Sequence, residues 1–198
     1  MELADRDKFL KTIQRHSDRL KSIIDDLLAL SRLESATPGL KFAPLDLSSY
    51  LQDLGAEFQH RPQGTEHEIV VTAPTTLGMI EADAEKLGHI FGNLLENAFK
   101  YTPKGSQVEL GAVAIGEHEV ECYVLDNGGG IPPSDLAHIF ERFYRVEKGR
   151  SRETGGTGLG LSIVKHIAQL HSGRVWAENR EGGGLAIRLR LPRRQKAS

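Results

Sequence analysis

The first part of the chain has the hydrophobic pattern of a long helix. Residues 3–35 contain neither glycine nor proline, and Ile13, Leu20 and Leu27 recur every seven positions with charged residues around them. This heptad-like spacing predicts an amphipathic helix whose apolar stripe needs a partner, in a helical hairpin or in a dimer bundle. A long helix packed along its own globular domain is the alternative.

The remainder of the chain alternates between strand-like and helix-like segments. Residues 37–44 are rich in small residues and are predicted to be a linker, 45–192 a domain, and 193–198 a frayed tail. Asp46 or Ser48 can cap a first helix and Asp83 a second, and 159–171 is predicted to be a third. Predicted strands cover 68–72, 78–82, 106–114, 119–126, 174–178 and 185–191. Because the strands come in hairpins with helices between the groups, the fold class is predicted to be α+β, a two-layer α/β sandwich with helices on one face of a mixed sheet.

Composition narrows the class of protein. The chain has 198 residues, of which 26% are charged and 39% hydrophobic, as in ordinary globular domains. A net charge of -2 gives no reason to expect nucleic acid as a partner, and no apolar run approaches the ~20 residues of a membrane span. Cys122 is the single cysteine, so an internal disulfide is excluded and a reducing, cytoplasmic compartment is favoured.

The stretch NLLENAFKYTP, at 93–103, combines an apolar face with a polar stripe. Its apolar residues, Leu94, Leu95, Ala98 and Phe99, suit a helix with one buried face. Asn93, Asn97 and Lys100 follow one another at spacings of four and three, which aligns them on the opposite face. Amide oxygens are hard ligands for magnesium and an ammonium attracts phosphate, so the stripe suits a metal-chelated phosphate chain. A solvated polar face is the alternative.

The stretch DNGGGIPP, at 126–133, directly follows an apolar predicted strand. Asp126 at the strand end can accept a hydrogen bond from an exocyclic amine such as that of adenine. Gly128 and Gly130 allow the backbone to turn sharply and to approach a flat ring closely. By itself this sequence is also that of an ordinary turn.

The stretch GGTGLGLSIVKHI, at 155–167, runs glycines into the start of a helix, where unpaired N–H groups can bind phosphate. It follows no strand, so it is not the dinucleotide fingerprint, and no GxxxxGK[ST] loop is present. The basic segment 139–153 before it contains Phe140 and Phe143, which can pack down while the rest moves as a lid. A solvated loop is the alternative.

Taken in order, the asparagine stretch, DNGGGI, FERFYR and GGTGLGL resemble the ATP-binding domain of sensor histidine kinases. The wider group is the ATPase superfamily shared with DNA gyrase and mismatch-repair proteins. The resemblance covers about 44–192, and residues 1–36 resemble the second helix of a kinase dimerisation hairpin. The run from FYRVEKG to SIVKHI looks most like kinases of the phosphate-responsive sensor type.

The resemblance implies roles for the matching residues and ATP and Mg2+ as cofactors. Asn97 and Asn93 would bind magnesium, Lys100 and Tyr101 would contact the phosphates, and Asn93 and Lys100 would serve catalysis. Asp126 would accept a hydrogen bond from the adenine amine. The other implied residues are Gly128, Gly130 and Ile131 beside the ring, Phe140, Phe143 and Arg145 in the lid, and Gly156, Thr157, Gly158, Leu159, Gly160 and Leu161 over the triphosphate.

The position of Asn93 bears on the reaction. In hydrolytic members of the superfamily, this position holds a glutamate that activates water, whereas an amide cannot take a proton. The resemblance therefore implies phosphoryl transfer to a histidine, followed by relay to the receiver domain of a response regulator.

The acceptor histidine of this family would be followed by an acidic residue and then by Leu-Arg-Thr-Pro. No histidine in the sequence is followed by these residues. The acceptor helix is therefore expected to be missing from this chain or to lie on a separate one, so that it acts in cis or in trans. The parent protein is expected to be a homodimer in the cytoplasm or at the cytoplasmic face of a membrane. A non-catalytic, nucleotide-gated interaction module is the rival hypothesis, while Asn93 argues against a free-standing ATPase.

Overall fold

The computed structural model describes residues 40–146 and 156–195, together with scattered helical positions between Arg6 and Leu28. Within 40–146 and 156–195, seven strands and three α-helices form. The strands are β1 (Ala43–Asp46), β2 (Glu68–Thr72), β3 (Met79–Ala82), β4 (Gln107–Ile115), β5 (Glu119–Asp126), β6 (Arg174–Asn179) and β7 (Leu185–Pro192). The helices are α1 (Leu47–Gln59), α2 (Ala84–Tyr101) and α3 (Gly160–Leu170).

Five of the strands form a mixed sheet in the order β2-β4-β5-β7-β6. β2 is parallel to β4, and the other neighbours are antiparallel. β1 and β3 pair separately as a two-stranded antiparallel sheet. The three helices pack with the five-stranded sheet around one core, which confirms the predicted fold class.

The apolar face of α2 lies at the centre of this core. Its buried residues recur at spacings of three and four and are Leu87, Ile90, Phe91, Leu94, Leu95, Ala98 and Phe99. The side chain of Asp83 accepts a hydrogen bond from the backbone N–H of Lys86 at 3.1 Å, which confirms the predicted cap. Burying one Leu or Phe is worth about 1.5–3 kcal/mol, so this face fixes the rotation of α2. Its polar stripe is thereby held beside the core, half-buried instead of fully solvated.

The segment predicted to be a linker, 37–44, ends earlier than expected. Ala43 and Pro44 belong to β1, where they pair with Ala82 and Glu81 of β3. Just before them, the backbone N–H of Lys41 donates to the carboxylate of Asp83 at 2.9 Å. These partners are distant in sequence, so local composition could not reveal the pairing. Positions 37–39 lie outside the described residues.

The predicted fraying of 193–198 does not hold for its first three residues. The backbone N–H of Arg193 donates to the carbonyl of His118 at 2.8 Å, and the N–H of Gln195 donates to the carboxylate of Glu81 at 2.9 Å. Both contacts tie the end of β7 to other elements of the fold. Positions 196–198 lie outside the described residues.

The first segment is helical at its described positions, as predicted. Its described apolar side chains are exposed, namely Phe9, Leu10, Ile13, Leu20, Ile24, Leu27 and Leu28. A helix packed along the domain would bury them, so that alternative is not observed at these positions.

Across the described part of the chain, no helix combines the length and the apolar character required to cross a membrane.

Candidate functional site

A cavity of about 1020 Å³ opens between α2, the start of α3 and the ends of β5 and β7. This volume is at the upper end of the range for small-molecule sites. Most of the residues predicted from sequence line it, namely Asn93, Asn97, Lys100, Tyr101, Asp126, Gly130, Ile131, Arg145, Gly156, Thr157, Gly158, Gly160 and Leu161. The fold therefore brings three separate sequence motifs to one cavity.

The polar stripe of α2 faces the glycine loop that precedes α3. The side-chain amide of Asn93 donates from Nδ2 to the carbonyl of His89 at 2.8 Å, and this bond directs Oδ1 across the cavity. A Cβ atom added to Gly160 would lie 2.5 Å from that oxygen. The Nζ atom of Lys100 would lie 2.6 Å from a Cβ at Gly156. Both glycines thus leave space in front of a polar group that can bind a phosphate or its metal.

The start of α3 adds hydrogen-bond donors to this end of the cavity. The N-cap position of α3 is occupied by Leu159, whose apolar side chain cannot accept a hydrogen bond from the first turn. The hydroxyl of Thr157 accepts from the N–H of Leu159 at 3.1 Å, which leaves the N–H groups of the next turn to other acceptors. The partial positive charge of a helix N-terminus and the ammonium of Lys100 together favour an anion here.

Asp126, at the last position of β5, lines the same cavity. Its Oδ1 atom accepts hydrogen bonds from the backbone N–H groups of Gly128, at 2.8 Å, and Leu185, at 3.2 Å. Within the described residues Oδ2 accepts none, so it remains available to a donor in the cavity. Burial raises the pKa of this carboxyl, while the two backbone N–H groups and the charge of Arg180 act in the opposite direction.

Apolar side chains form part of the cavity wall, and sequence reasoning assigned none of them to the site. They are Leu94, Ala98, Val124, Ile139, Leu185 and Ile187. Their sequence pattern is that of ordinary core positions, and only packing shows which of them border a cavity. Apolar walls with the carboxylate of Asp126, together with the ammonium of Lys100 and the N–H donors of α3, suit a ligand that joins a flat, amine-bearing ring to an anionic chain.

Four of the residues predicted from sequence do not line the cavity, namely Gly128, Phe140, Phe143 and Leu159. Phe140 and Leu159 belong to the buried core, and Gly128 acts through its hydrogen bond to Asp126. Phe143 is 61% exposed, which shows that it does not pack into the core as predicted. Its φ of 63° places it in the left-handed region, and its backbone N–H donates to the carbonyl of Gly158 at 2.8 Å.

Only part of the predicted lid can be described. Residues up to Val146 are described, and Tyr144, Arg145 and Val146 line the cavity. The hydroxyl of Tyr144 donates to the carboxylate of Asp135 at 2.9 Å, which holds the first part of the segment. The basic residues predicted further along, at 148, 150 and 152, and Gly155 lie outside the described residues.

Sequence reasoning predicted the hairpin between β6 and β7 but missed its contacts with the loop that follows Asp126. The side chain of Asn179 pairs with the backbone of Ile131, and the guanidinium of Arg180 donates to the carbonyl of Asp126 at 2.8 Å. The sequence signal for these contacts was an amide and a cation, separated by Glu181 from a run of three glycines.

Comparisons with known proteins agree with this arrangement. The model of the family "Histidine kinase-, DNA gyrase B-, and HSP90-like ATPase" matches residues 82–195, which is more than half of the chain. The sensor histidine kinase WalK of Bacillus subtilis is 33% identical over 192 residues, which are 96% of this chain and 31% of WalK. The chain thus spans about a third of the length of that relative. Because this relative is a WalK kinase, the predicted phosphate-responsive type is not supported.

Two solved structures extend the comparison to the fold. Full-length ShkA in complex with AMPPNP is 30% identical with a TM-score of 0.76, and the match covers 100% of this chain and 41% of ShkA. The histidine kinase ThkA in complex with the response regulator TrrA is 22% identical with a TM-score of 0.76, and the match covers 98% of this chain and 53% of ThkA. The second of these shares the fold.

Proposed function

Because the chain belongs to the family of histidine kinase-, DNA gyrase B- and HSP90-like ATPases, we propose that it is the catalytic part of a sensor histidine kinase. It binds Mg-ATP in the cavity between α2 and α3. It then transfers the γ-phosphoryl group to a histidine on an acceptor helix, supplied in cis or in trans. A response-regulator aspartate receives the group afterwards.

The observation that carries the proposal is that two chemically different sets of residues line one cavity. Asp126 and the apolar walls suit adenine, since Oδ2 can accept from its amine. Lys100, Tyr101 and the start of α3 suit the phosphates, with Gly156, Gly158, Gly160 and Leu161 beside them. ShkA, which this chain resembles over its whole length, was solved with an ATP analogue.

Magnesium fits the donors present in this part of the cavity. The Oδ1 atom of Asn93 faces Gly160 across a gap that a Cβ would fill, and Asn97 lines the same space. Amide oxygens are hard ligands of the kind that magnesium takes beside phosphate. A magnesium ion held by Asn93 and Asn97 would neutralise charge on the phosphate chain.

The chain's own residues then favour transfer over hydrolysis. Lys100 and the N–H groups at the start of α3 hold the phosphate oxygens and stabilise the charge on them during transfer. The bond between the γ-phosphorus and its bridging oxygen breaks as a bond to the acceptor imidazole nitrogen forms, and ADP leaves. Asn93 cannot act as a general base, so water is not activated at this position.

The proposed partners follow from this reaction. The phosphohistidine requires an aspartate of a receiver domain as the next phosphoryl acceptor. ThkA, which shares the fold, was solved in complex with a response regulator. The exposed apolar stripe of the first helix suits a homodimer in the parent protein, at the cytoplasmic face.

The decisive experiment supplies the acceptor. The purified chain is incubated with γ-labelled ATP and magnesium, together with a dimerisation-hairpin fragment from its own parent protein. Label on the histidine of that fragment is expected, and the label should disappear with Asn97→Ala. Nucleotide binding without any label on the matched acceptor would refute the kinase reaction.

The absence of an acceptor motif from the sequence favours a second candidate, a nucleotide-gated interaction module. In that case ATP would change the packing between the first helix and the domain without phosphoryl transfer. Hydrogen exchange in the first helix, measured with and without Mg-ATP beside the matched acceptor, separates the two. A change in exchange without label would favour the module.

A further inference from the structure

The hairpin between β6 and β7 contacts the loop that begins at Asp126. The hairpin and the loop are separated by about fifty residues of sequence, yet Asn179 at the end of β6 makes two hydrogen bonds to the loop and Arg180 makes one. The backbone of Gly184 also approaches the carbonyl of Asp126 closely. None of these residues is among those predicted from the sequence motifs.

Asn179 makes a two-way contact with Ile131. Its Oδ1 atom accepts from the backbone N–H of Ile131 at 2.9 Å, and its Nδ2 atom donates to the carbonyl of the same residue at 2.6 Å. The side-chain amide therefore pairs with both backbone polar groups of one residue, as a residue of a neighbouring strand would. A Cβ at Gly130 would lie 2.7 Å from Oδ1, so a glycine at 130 is required for this approach.

Arg180 and Gly184 hold the other end of the loop. The Nη1 atom of Arg180 donates to the backbone carbonyl of Asp126 at 2.8 Å, and the N–H of Arg180 donates to the carbonyl of Gly184 at 3.1 Å. A Cβ at Gly184 would lie 2.0 Å from the carbonyl oxygen of Asp126. The φ of Gly184 is 100°, so no other residue could bring the hairpin this close without strain.

We propose that Asn179 is a positioning residue for nucleotide binding. By pairing with Ile131 it holds the loop from Asp126 to Ile131 in its binding conformation before the nucleotide arrives. The inference rests on the proposed function, since it assigns a role in the same cavity. Asn179 does not line that cavity and acts through Ile131, which does.

The physical reason is the entropy of the loop. A loop with three adjacent glycines, 128–130, has many accessible conformations when nothing holds it. Binding to such a loop would include the cost of ordering it, whereas a loop that is already ordered avoids that cost. Losing the two hydrogen bonds of Asn179 should therefore weaken adenine-nucleotide binding while leaving the core of the domain intact, since Asn179 is exposed.

The test uses the full chain and the variants Asn179→Ala, Asn179→Asp and Glu181→Ala. Glu181 is an exposed residue of the same hairpin and serves as the matched control. Hydrogen exchange of the Ile131 amide is measured in the nucleotide-free chain, and calorimetry with Mg-ATP and Mg-ADP gives Kd and its entropic part. Thermal unfolding midpoints check that each variant is folded.

Asn179→Ala should accelerate exchange of the Ile131 amide and raise Kd for both nucleotides about three- to tenfold, with the loss in the entropic part. Asn179→Asp has the same shape but sets a carboxylate oxygen against the Ile131 carbonyl, so it should also raise Kd. Glu181→Ala should match the unaltered chain in all three measurements.

Three results would each overturn the inference. The first is an Ile131 amide that exchanges at the same rate in Asn179→Ala. The second is faster exchange with Kd unchanged. The third is nucleotide binding by Asn179→Asp that equals that of the unaltered chain. Absence of nucleotide binding by the unaltered chain would refute the proposed function instead, and the exchange measurement would still decide whether Asn179 holds the loop.

Discussion

The carboxylate of Asp126 has two separate tasks at the scale of single residues. Oδ1 accepts from the N–H groups of Gly128 and Leu185, whereas Oδ2 of this cavity-lining residue has no hydrogen-bond partner among the described residues. Asp126→Asn keeps the shape and can still accept at Oδ1, but it turns an NH2 group towards the adenine amine. Losing one charged hydrogen bond is worth ~1.5–3 kcal/mol, so calorimetry should show Mg-ATP binding about ten- to a hundredfold weaker.

The pH dependence of binding provides a second test of Asp126. Burial raises the pKa of its carboxyl above the usual 3.8, and the protonated form is a poorer acceptor. As the pH falls through this raised pKa, affinity should be lost, beginning at a higher pH than for an ordinary aspartate. The loss should be smaller in Asp126→Asn, and equal pH profiles for both proteins would contradict the assignment.

Asn97 tests the metal in the same way. Asn97→Ala removes an amide oxygen from the half-buried stripe of α2, so it should weaken Mg-ATP binding about tenfold or more. Binding measured in EDTA should change much less. Gln52→Ala, which removes an exposed amide from α1, is the control and should have no effect in either condition.

At the scale of elements, the close approach of α2 and α3 forms the phosphate end of the cavity. A methyl group at Gly160 would lie 2.5 Å from Oδ1 of Asn93, whereas one at Gly92 would meet only a ring atom of Phe58, at 3.6 Å. Both glycines are helical and have negative φ. The same substitution should therefore affect binding at one position and stability at the other.

We expect Gly160→Ala to displace the Asn93 amide and to weaken Mg-ATP binding about tenfold. Gly92→Ala should leave binding unchanged and stabilise the domain by up to about 1 kcal/mol, because alanine is the better helix former. Calorimetry and urea unfolding measure the two effects. Equal nucleotide affinity in both variants would show that the contact between α2 and α3 does not shape the site.

The elements differ in how far sequence could predict them. α2, β2 and β5 are predicted by local signals, which are an apolar period in each element and a cap in α2. The predicted bounds of β2 and β5 agree with the structure, and α2 begins directly after its predicted cap. β1 and the segment Arg193–Gln195 have no such signal, because their order comes from pairing with Glu81 and its neighbours.

At the scale of the whole molecule, His171 joins three parts of the fold. It is fully buried, its Nε2 atom accepts from the backbone N–H of Asp83 at 3.2 Å, and its Nδ1 atom bonds the carbonyl of Ile167 at 2.9 Å. The ring of Phe42 packs against its edge at 5.3 Å. His171 thus connects the end of α3, the start of α2 and the segment that leads into β1.

Burial lowers the pKa of His171 below 6.5. As the pH falls below 6.5, His171 becomes protonated in the unfolded chain. In the native chain it stays neutral until the pH reaches its lowered pKa. Native stability should therefore fall with decreasing pH over this window. Urea unfolding between pH 7.5 and 5 should show a smaller decrease for His171→Gln than for the unaltered chain. His118→Gln, at an exposed turn, should leave the decrease unchanged.

The sequence alone determined the helical periods, the cap at Asp83 and the motifs that supply the polar residues of the cavity, because each of these signals depends on neighbouring residues. It left the first cap open between Asp46 and Ser48, and the structure decided for Asp46. Only the tertiary structure decided which apolar side chains border the cavity, where Phe143 lies and how Asn179 reaches Ile131. Those contacts join residues far apart in the chain, and their geometry depends on how the sheet and helices pack.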